Sequence, residues 1–480
     1  MLYSFKLAPP AALLLLAGCA TSSPQATLPA VQSQLTDRAD VSATWPLTQD
    51  ERAKADAAVR ELLATDLTVD AAMRIAVINN RALRATFEEL GLSQAGLAAA
   101  TRLPNPSFEA SLRWPNVAPR GPNAEFSLTA PLLESLLLPA RKRVAESRLL
   151  QTQYRVSHEV LALVAEVRRA AYEVLAQQEL RIRLAVIAEV NDAASDLARR
   201  QYDAGNMPKL EFAQIQASAQ QTQVELARAD AEIRVARERL NRLLGLVAGQ
   251  TSWKMSGGLP TLPARDTLPE NLETLALNQR LDLAALRTQT ELAQRAFDLK
   301  RRTRLFPGEV NLGVDTERDS NGGRVTGPRL GVELPLFDQG QPELAGLSAE
   351  LRQAQDRTEA LSADIGSEAR AARDALLATR QAAEFYEKTL LPQRRAILRE
   401  SLLHYNAMQK SVYELLAAKE AQQRTERESV EAVRDYWLAR TELERALGHR
   451  LPAAAETDPT RKQVEPEAEP AEEHHHHSHQ

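Results

Sequence analysis

The sequence predicts a mainly α chain with a β-barrel part, built from a duplicated unit of one strand hairpin and long coiled-coil helices. Three observations predict it. Aromatics are 4% of the 480 residues while 44% are apolar and 26% charged, the profile of long helices packed at close range. Two stretches of the chain match each other in order. Within each, apolar residues recur every seven positions along the helices and every second position along two short segments.

The chain opens with Lys6, the apolar stretch Ala11 to Leu16, and Ala17-Gly18-Cys19. Residues 1–18 are therefore expected to be a secretory signal peptide, too short to span as a mature helix. Leu16-Ala17-Gly18-Cys19 looks like a bacterial lipobox, which implies cleavage before Cys19 and acyl chains on its sulfur and new amino group. Cys19 is the one cysteine of the chain, so no disulfide framework or Cys-based zinc site is expected. Ala20, where an Asp would retain a lipoprotein in the inner membrane, favours the outer membrane by the same resemblance. Residues 19–66, rich in Ser, Thr, Pro, Gln and Asp, read as a lipidated tether.

The first copy covers residues 67–247 and the second 267–450. Asn79-Asn80-Arg81 answers to Asn278-Gln279-Arg280, Pro106 and Pro131 to Pro307 and Pro335, Tyr202-Asp203-Ala204 to Tyr405-Asn406-Ala407, and Leu244-Gly245 to Leu447-Gly448. The segment 248–266, with Gly249, Gly257, Gly258, Pro260 and Pro263, reads as the linker.

Long helices are expected at about 137–201 and 208–247, and again at 342–404 and 411–448. Phe212, Ala219, Leu226, Ile233, Leu240 and Val247 fall every seven residues, with Ile215, Thr222, Ala229, Ala236 and Leu243 on a second seam. Leu415, Gln422, Ser429, Tyr436 and Leu443 repeat the pattern more weakly. A sustained heptad implies helices supercoiled on neighbours. Some 60 helical residues run about 90 Å, too long to wrap a globular core.

Strands are expected at about 107–114 and 124–131, then 309–317 and 328–335. Phe108, Leu112, Trp114, Phe126 and Leu128 share one parity in the first copy. Val310, Leu312, Val314, Leu330, Val332 and Leu334 do so in the second. Polar residues take the other parity, giving a sheet with one greasy and one wet face. The strands have the length a tilted strand needs to cross a bilayer. Four strands cannot close a barrel, and each unpaired backbone group in hydrocarbon costs several kcal/mol. A membrane-spanning sheet must therefore be shared, and three chains would supply twelve strands.

With these features in place, the chain resembles the TolC-like outer-membrane efflux proteins, in their lipidated branch, over about residues 67–450. The likeness rests on the lipobox, on Leu67-Thr68-Val69-Asp70-Ala71-Ala72, on Leu103-Pro104-Asn105-Pro106 before the first strand, on Pro335-Leu336-Phe337-Asp338-Gln339-Gly340 after the fourth, and on Tyr202-Asp203-Ala204-Gly205. The family implies a homotrimer with a twelve-stranded outer-membrane β-barrel joined to a twelve-helix periplasmic α-barrel. It also implies a periplasmic adaptor, an inner-membrane pump that supplies the energy, and passive conduction to the exterior. An acidic residue of the first copy there pairs with a Tyr and a basic residue of the second to latch the entrance. Glu211, Tyr405 and Lys410 stand at those positions, Lys410 replacing the more usual Arg. Glu414 matches an acidic pore constriction, Ala417 replaces a second one, and Met408 replaces the glycine seen as Gly205.

His474, His475, His476, His477 and His479 close a Glu/Pro-rich tail at 451–480 that reads as disordered. Such a tract suits a divalent metal, which points to heavy-metal ions as cargo beside drugs. No other cofactor is expected. A net charge of −5 gives no nucleic-acid footprint. A mean hydropathy of −0.35 excludes a multi-helix membrane protein. The common catalytic fingerprints, G-x-S-x-G, H-E-x-x-H and Walker A among them, do not occur, so the chain is not expected to be an enzyme. Two alternatives stand beside efflux: a periplasmic coiled-coil lipoprotein scaffold without a pore, and the outer-membrane channel of type I secretion.

Overall fold

The computed structural model describes residues 24–117, 121–304 and 310–452. The expected signal peptide, Cys19 and the five tail histidines lie outside the described residues.

The stretch expected to be a tether is, over its described part, packed structure. A 3-10 turn at Pro24–Thr27 leads into α1 (Leu28–Ala39) and, after an extended segment, α2 (Gln49–Leu63). Val31 and Leu35, one turn apart, are fully buried, and Val41, Ala43 and Trp45 alternate inward behind them. Trp45 stacks on Phe87 with ring centroids 6.2 Å apart, and its Nε1 donates to Glu88 Oε1 at 3.2 Å. Thr48 and Glu51 cap α2 reciprocally. Glu51 N donates to Thr48 Oγ1 at 3.2 Å, and Thr48 N donates to Glu51 Oε2 at 3.0 Å, the capping-box arrangement. A polar average hid a short apolar period.

The first copy continues with α3 (Val69–Asn79), α4 (Arg81–Ala100), β1 (Ser107–Arg113), β2 (Asn123–Pro131), α5 (Leu132–Leu136), α6 (Leu138–Asp203) and α7 (Lys209–Leu244). The second has α8 (Leu272–Gln279), α9 (Leu281–Thr303), β3 (Val310–Arg318), β4 (Arg324–Val332), α10 (Gln341–Phe385), α11 (Leu391–Asn406) and α12 (Val412–Leu447). At 66 residues α6 is about 100 Å long. Among the described residues no helix is long and apolar enough to cross a membrane.

The two copies differ in their long helix. Where a single helix over about 342–404 is expected, α10 and α11 are separated by one π-helical turn at Tyr386–Leu390. Leu391 N–H donates to the Tyr386 carbonyl, five residues back. Pro392 accounts for this: it has no N–H, and its ring would crowd the carbonyl four residues earlier, so the turn widens. The first copy has no proline there and no interruption.

The heptad becomes burial along one seam of α7, while on the other only Ala219 and Leu240 are buried and Val247 lies beyond the helix end, exposed. Thr222, Ala229, Ala236 and Leu243 of α7 are buried, and Asn191 of α6 donates to Thr222 Oγ1 at 2.8 Å inside the seam. In α12, Gln422, Ser429, Tyr436 and Leu443 are buried. The duplicated motifs meet each other. Asn79 Nδ2 donates to the Leu244 and Gly245 carbonyls at 2.9 and 2.8 Å, and Asn80 Nδ2 to Leu243 at 2.9 Å. These acceptors are among the carbonyls that a helix end leaves without a partner. Gly245 and its counterpart Gly448 both have left-handed φ, 67° and 66°. A Cβ on Gly245 would lie 2.8 Å from the Asn79 carbonyl oxygen, and one on Gly448 3.2 Å from Arg280 Cα.

The linker is clamped at both ends. Trp253 Nε1 donates to Asn241 Oδ1 at 2.7 Å, under the Arg237 guanidinium 4.0 Å from the ring. Asp266 accepts from Arg380 Nη1 and Tyr436 Oη at 2.8 Å each and also pairs with Arg440. Burial pushes the Tyr436 phenol upward.

Candidate functional site

Two regions carry the candidate function: the sheet and the far ends of the long helices. The four strands form one antiparallel sheet in the order β1-β2-β3-β4. Its register puts the apolar parity of every strand on one face. Phe108 pairs with Leu128, Leu128 with Val314, Leu312 with Leu330, and Val310 with Val332. Phe108 and Phe126 stack with centroids 6.3 Å apart. Among the described residues of a single chain nothing covers this face: Phe108, Leu112, Leu128, Val314 and Leu330 are all more than half exposed. The opposite face is wet. Asn123 Nδ2 donates to Glu317 Oε1 at 3.0 Å, and Arg329 Nη1 to Ser127 Oγ at 3.4 Å.

Three expected positions shift. Trp114 and Leu334 fall just beyond β1 and β4. Strand four starts at Arg324 rather than about 328, because the hairpin turn is tighter than its composition suggests. Asp319 N–H bonds Gly323 O at 2.8 Å, and Gly322 N–H bonds Asp319 O at 2.9 Å. Arg324 to Thr326 therefore pair with Arg318 to Thr316. Pro328 lies inside β4, where an edge strand tolerates a ring without N–H. Residues 118–120 of the first connector, and 305–309 with Pro307 and the expected start of strand three, lie outside the described residues. One side each of β1 and β4 has no strand partner among the described residues.

At the other end, α6 turns into α7 through Gly205, φ 76°, and α11 turns into α12 through Met408, φ 59°. Met408 takes the left-handed conformation that glycine adopts in the first copy, at a cost of about 1–2 kcal/mol, and is 95% exposed. Tyr202 stacks on Phe212 at 5.0 Å. Glu211, Tyr405 and Lys410 are all exposed, and no hydrogen bond or ion pair among the described residues joins them within one chain. The contact that does tie the copies together here was missed: Tyr413 Oη donates to Gln201 Oε1 at 2.6 Å. Burial, helped by the negative charge of Glu211, raises the Tyr413 phenol.

Glu414 has a local partner. Its Oε2 accepts from Ser411 N at 2.8 Å and Ser411 Oγ at 3.1 Å, and Glu414 N donates to Ser411 Oγ at 3.3 Å, a capping box on α12. The Ser411 backbone and hydroxyl bonds, with Lys410 nearby, hold the Glu414 carboxyl below its ordinary value, so it is charged at neutral pH. The Ser411-x-x-Glu414 spacing is the readable signal for this cap. His404 Nδ1 lies 2.5 Å from Gln409 Oε1. Among the described residues no cluster of three or more metal-ligating side chains occurs.

At mid-length the copies are locked by charge. Arg168 of α6 pairs with Glu444 of α12, which lies 3.7 Å from Arg440. Within the second copy, Arg280 pairs with Asp282, 2.6 Å away, and with Glu368.

Residues 73–246 match the family model described as outer membrane efflux protein. Over 394 residues the chain is 25% identical to the cobalt-zinc-cadmium resistance protein CzcC of Cupriavidus metallidurans, covering 80% of this chain and 91% of that protein. Its fold is similar to that of CusC, with a TM-score of 0.64 and 18% identity over 79% of this chain and 92% of the other. It is likewise similar to the CmeC outer membrane channel of Campylobacter jejuni, with a TM-score of 0.66 and 14% identity over 85% and 89%.

Proposed function

We propose that the chain is a member of the outer membrane efflux protein family, whose model matches residues 73–246, and that it is the outer-membrane channel of a tripartite efflux system. One observation carries the reading. A four-stranded sheet offers an in-register apolar face and two open edges, on a chain whose helices extend about 100 Å away from it. Those edges are tolerable in hydrocarbon only when strands of other copies pair with them. Three copies give a twelve-stranded barrel in the outer membrane, and their helices form a periplasmic tunnel that meets an adaptor and an inner-membrane pump. Transport through this component is passive, and the chain is a conduit rather than an enzyme. The lipid on Cys19 adds an anchor, at about 0.8 kcal/mol per buried methylene.

Glu211, Tyr405 and Lys410 act between protomers in this reading, since nothing joins them within one. Glu414 contributes one of three carboxylates around the axis, and His474 to His477 with His479 collect divalent heavy-metal ions as cargo. CzcC, named for cobalt-zinc-cadmium resistance, supports the metal reading.

The test is extraction and reconstitution. A detergent-dependent trimer that conducts ions in planar bilayers is expected. A Cys19→Ala chain that is soluble and monomeric without detergent would instead identify a tethered scaffold.

A further inference from the structure

Between the sheet and the helices lies a band of side chains that neither the pore nor the tip uses. Its upper tier is apolar and bare: Leu103, Leu136 and Leu336 are about 70% exposed and Phe337 is 100% exposed. Its lower tier is cationic and lies at the ends of α4, α6 and α9. Several of its cations are paired. Arg141 meets Glu134 at 3.3 Å, Lys142 meets Glu146 at 3.7 Å, Arg301 meets Asp298 at 3.2 Å, and Lys300 meets Glu343. Arg102, Arg143, Arg302 and Arg304 are exposed and have no acidic partner among the described residues. On the α10 side stand Glu333 and Asp338, the latter accepting from Gly340 N at 2.8 Å.

We propose that this collar binds anionic phospholipid headgroups of the periplasmic leaflet, with the Leu and Phe side chains set among the upper acyl carbons and Arg143, Arg302 and Arg304 on the phosphates. The inference rests on the membrane-spanning reading of the sheet, which sets the collar at headgroup depth. Bare apolar groups beside unpaired cations suit a surface that is oily above and negatively charged below. Each cation near such a surface contributes roughly fivefold in affinity.

The test uses the delipidated full-length trimer in detergent, offered phosphatidylglycerol or phosphatidylcholine and read by native mass spectrometry. Wild type is expected to retain phosphatidylglycerol about tenfold over phosphatidylcholine. The triple variant R143Q/R302Q/R304Q should lose that preference, while R228Q/R234Q/R239Q on α7 keeps it. Equal retention of both lipids by wild type, or an unchanged preference in the collar variant, overturns the proposal. So does efficient cross-linking of single cysteines at 143 and 304 between subunits, which would assign the collar to a neighbouring copy. A trimer that conducts but shows no lipid preference removes only this inference; one that does not conduct at all removes the channel reading beneath it.

Discussion

Tyr413 of α12 reaches across to Gln201 of α6, its hydroxyl donating to the amide oxygen at 2.6 Å. This bond joins the two helical hairpins of one protomer close to both turns, where few other side chains are buried. Tyr413→Phe removes the donor and leaves packing intact, a loss of about 1 kcal/mol. The entrance should loosen, raising the open-to-closed ratio roughly fivefold in single-channel recordings. An unchanged ratio would assign the bond to local structure only.

Lys410→Glu sets a carboxylate where Glu211 is expected to find a cation. Like-charge repulsion should raise conductance at low salt, with the effect shrinking as salt screens it. Conductance equal to wild type at all salt concentrations would count against the latch.

The cap that Glu414 forms can be separated from the pore role proposed for it. Glu414→Gln retains a side chain able to cap Ser411 but removes the charge, so cation selectivity and block by trivalent cations should fall while thermal stability holds. Glu414→Ala should lose both. Selectivity unaltered in the Gln variant would leave the residue as a cap alone.

Asn79→Ala strips two hydrogen bonds from the carbonyls ending α7. About 2 kcal/mol of stability should go with them, seen as a lower thermal midpoint. A midpoint within error of wild type would mean that water replaces the amide.

Acid should weaken the mid-length lock. Burial alone would raise the Asp282 carboxyl, but the bonds from Arg280 outweigh it and hold the group below its ordinary value of 3.8. A carboxyl depressed in the folded state gives stability that is complete above its unfolded pKa and is lost as pH falls through its folded one. Asp282→Asn should cost about 2 kcal/mol at pH 7 and shrink the loss that sets in as pH falls below the ordinary carboxyl value of 3.8. An identical acid slope in thermal unfolding would remove Asp282 from the linkage.

Much of this architecture could be read from local pattern. Heptads mark the seams because a seven-residue repeat and burial are one geometric fact, and Thr222, Ala229 and Ala236 are buried where the period puts them. Asn79 and Leu244, paired with their counterparts as repeated words, turn out to touch. What escaped reading lacked a long period. Val31 and Leu35 are only two positions in a polar stretch, so their burial depends on a surface made by α3, α4 and α6. The start of β4 was hidden by Pro328, which punctuates a sequence without breaking an edge strand. The tip was least legible: Tyr413 and Gln201 are 212 residues apart, and their meeting follows from two rods running antiparallel side by side, as the pairs Arg168–Glu444 and Arg183–Glu426 show, rather than from any neighbourly spacing.

Arg450 donates to the Ala39 carbonyl at 3.3 Å, with Leu451 buried beside it. The end of α1 and the segment that follows α12 are thus stitched together on the flank of α6 near His158 and Arg168, away from both the sheet and the turns at Gly205 and Met408.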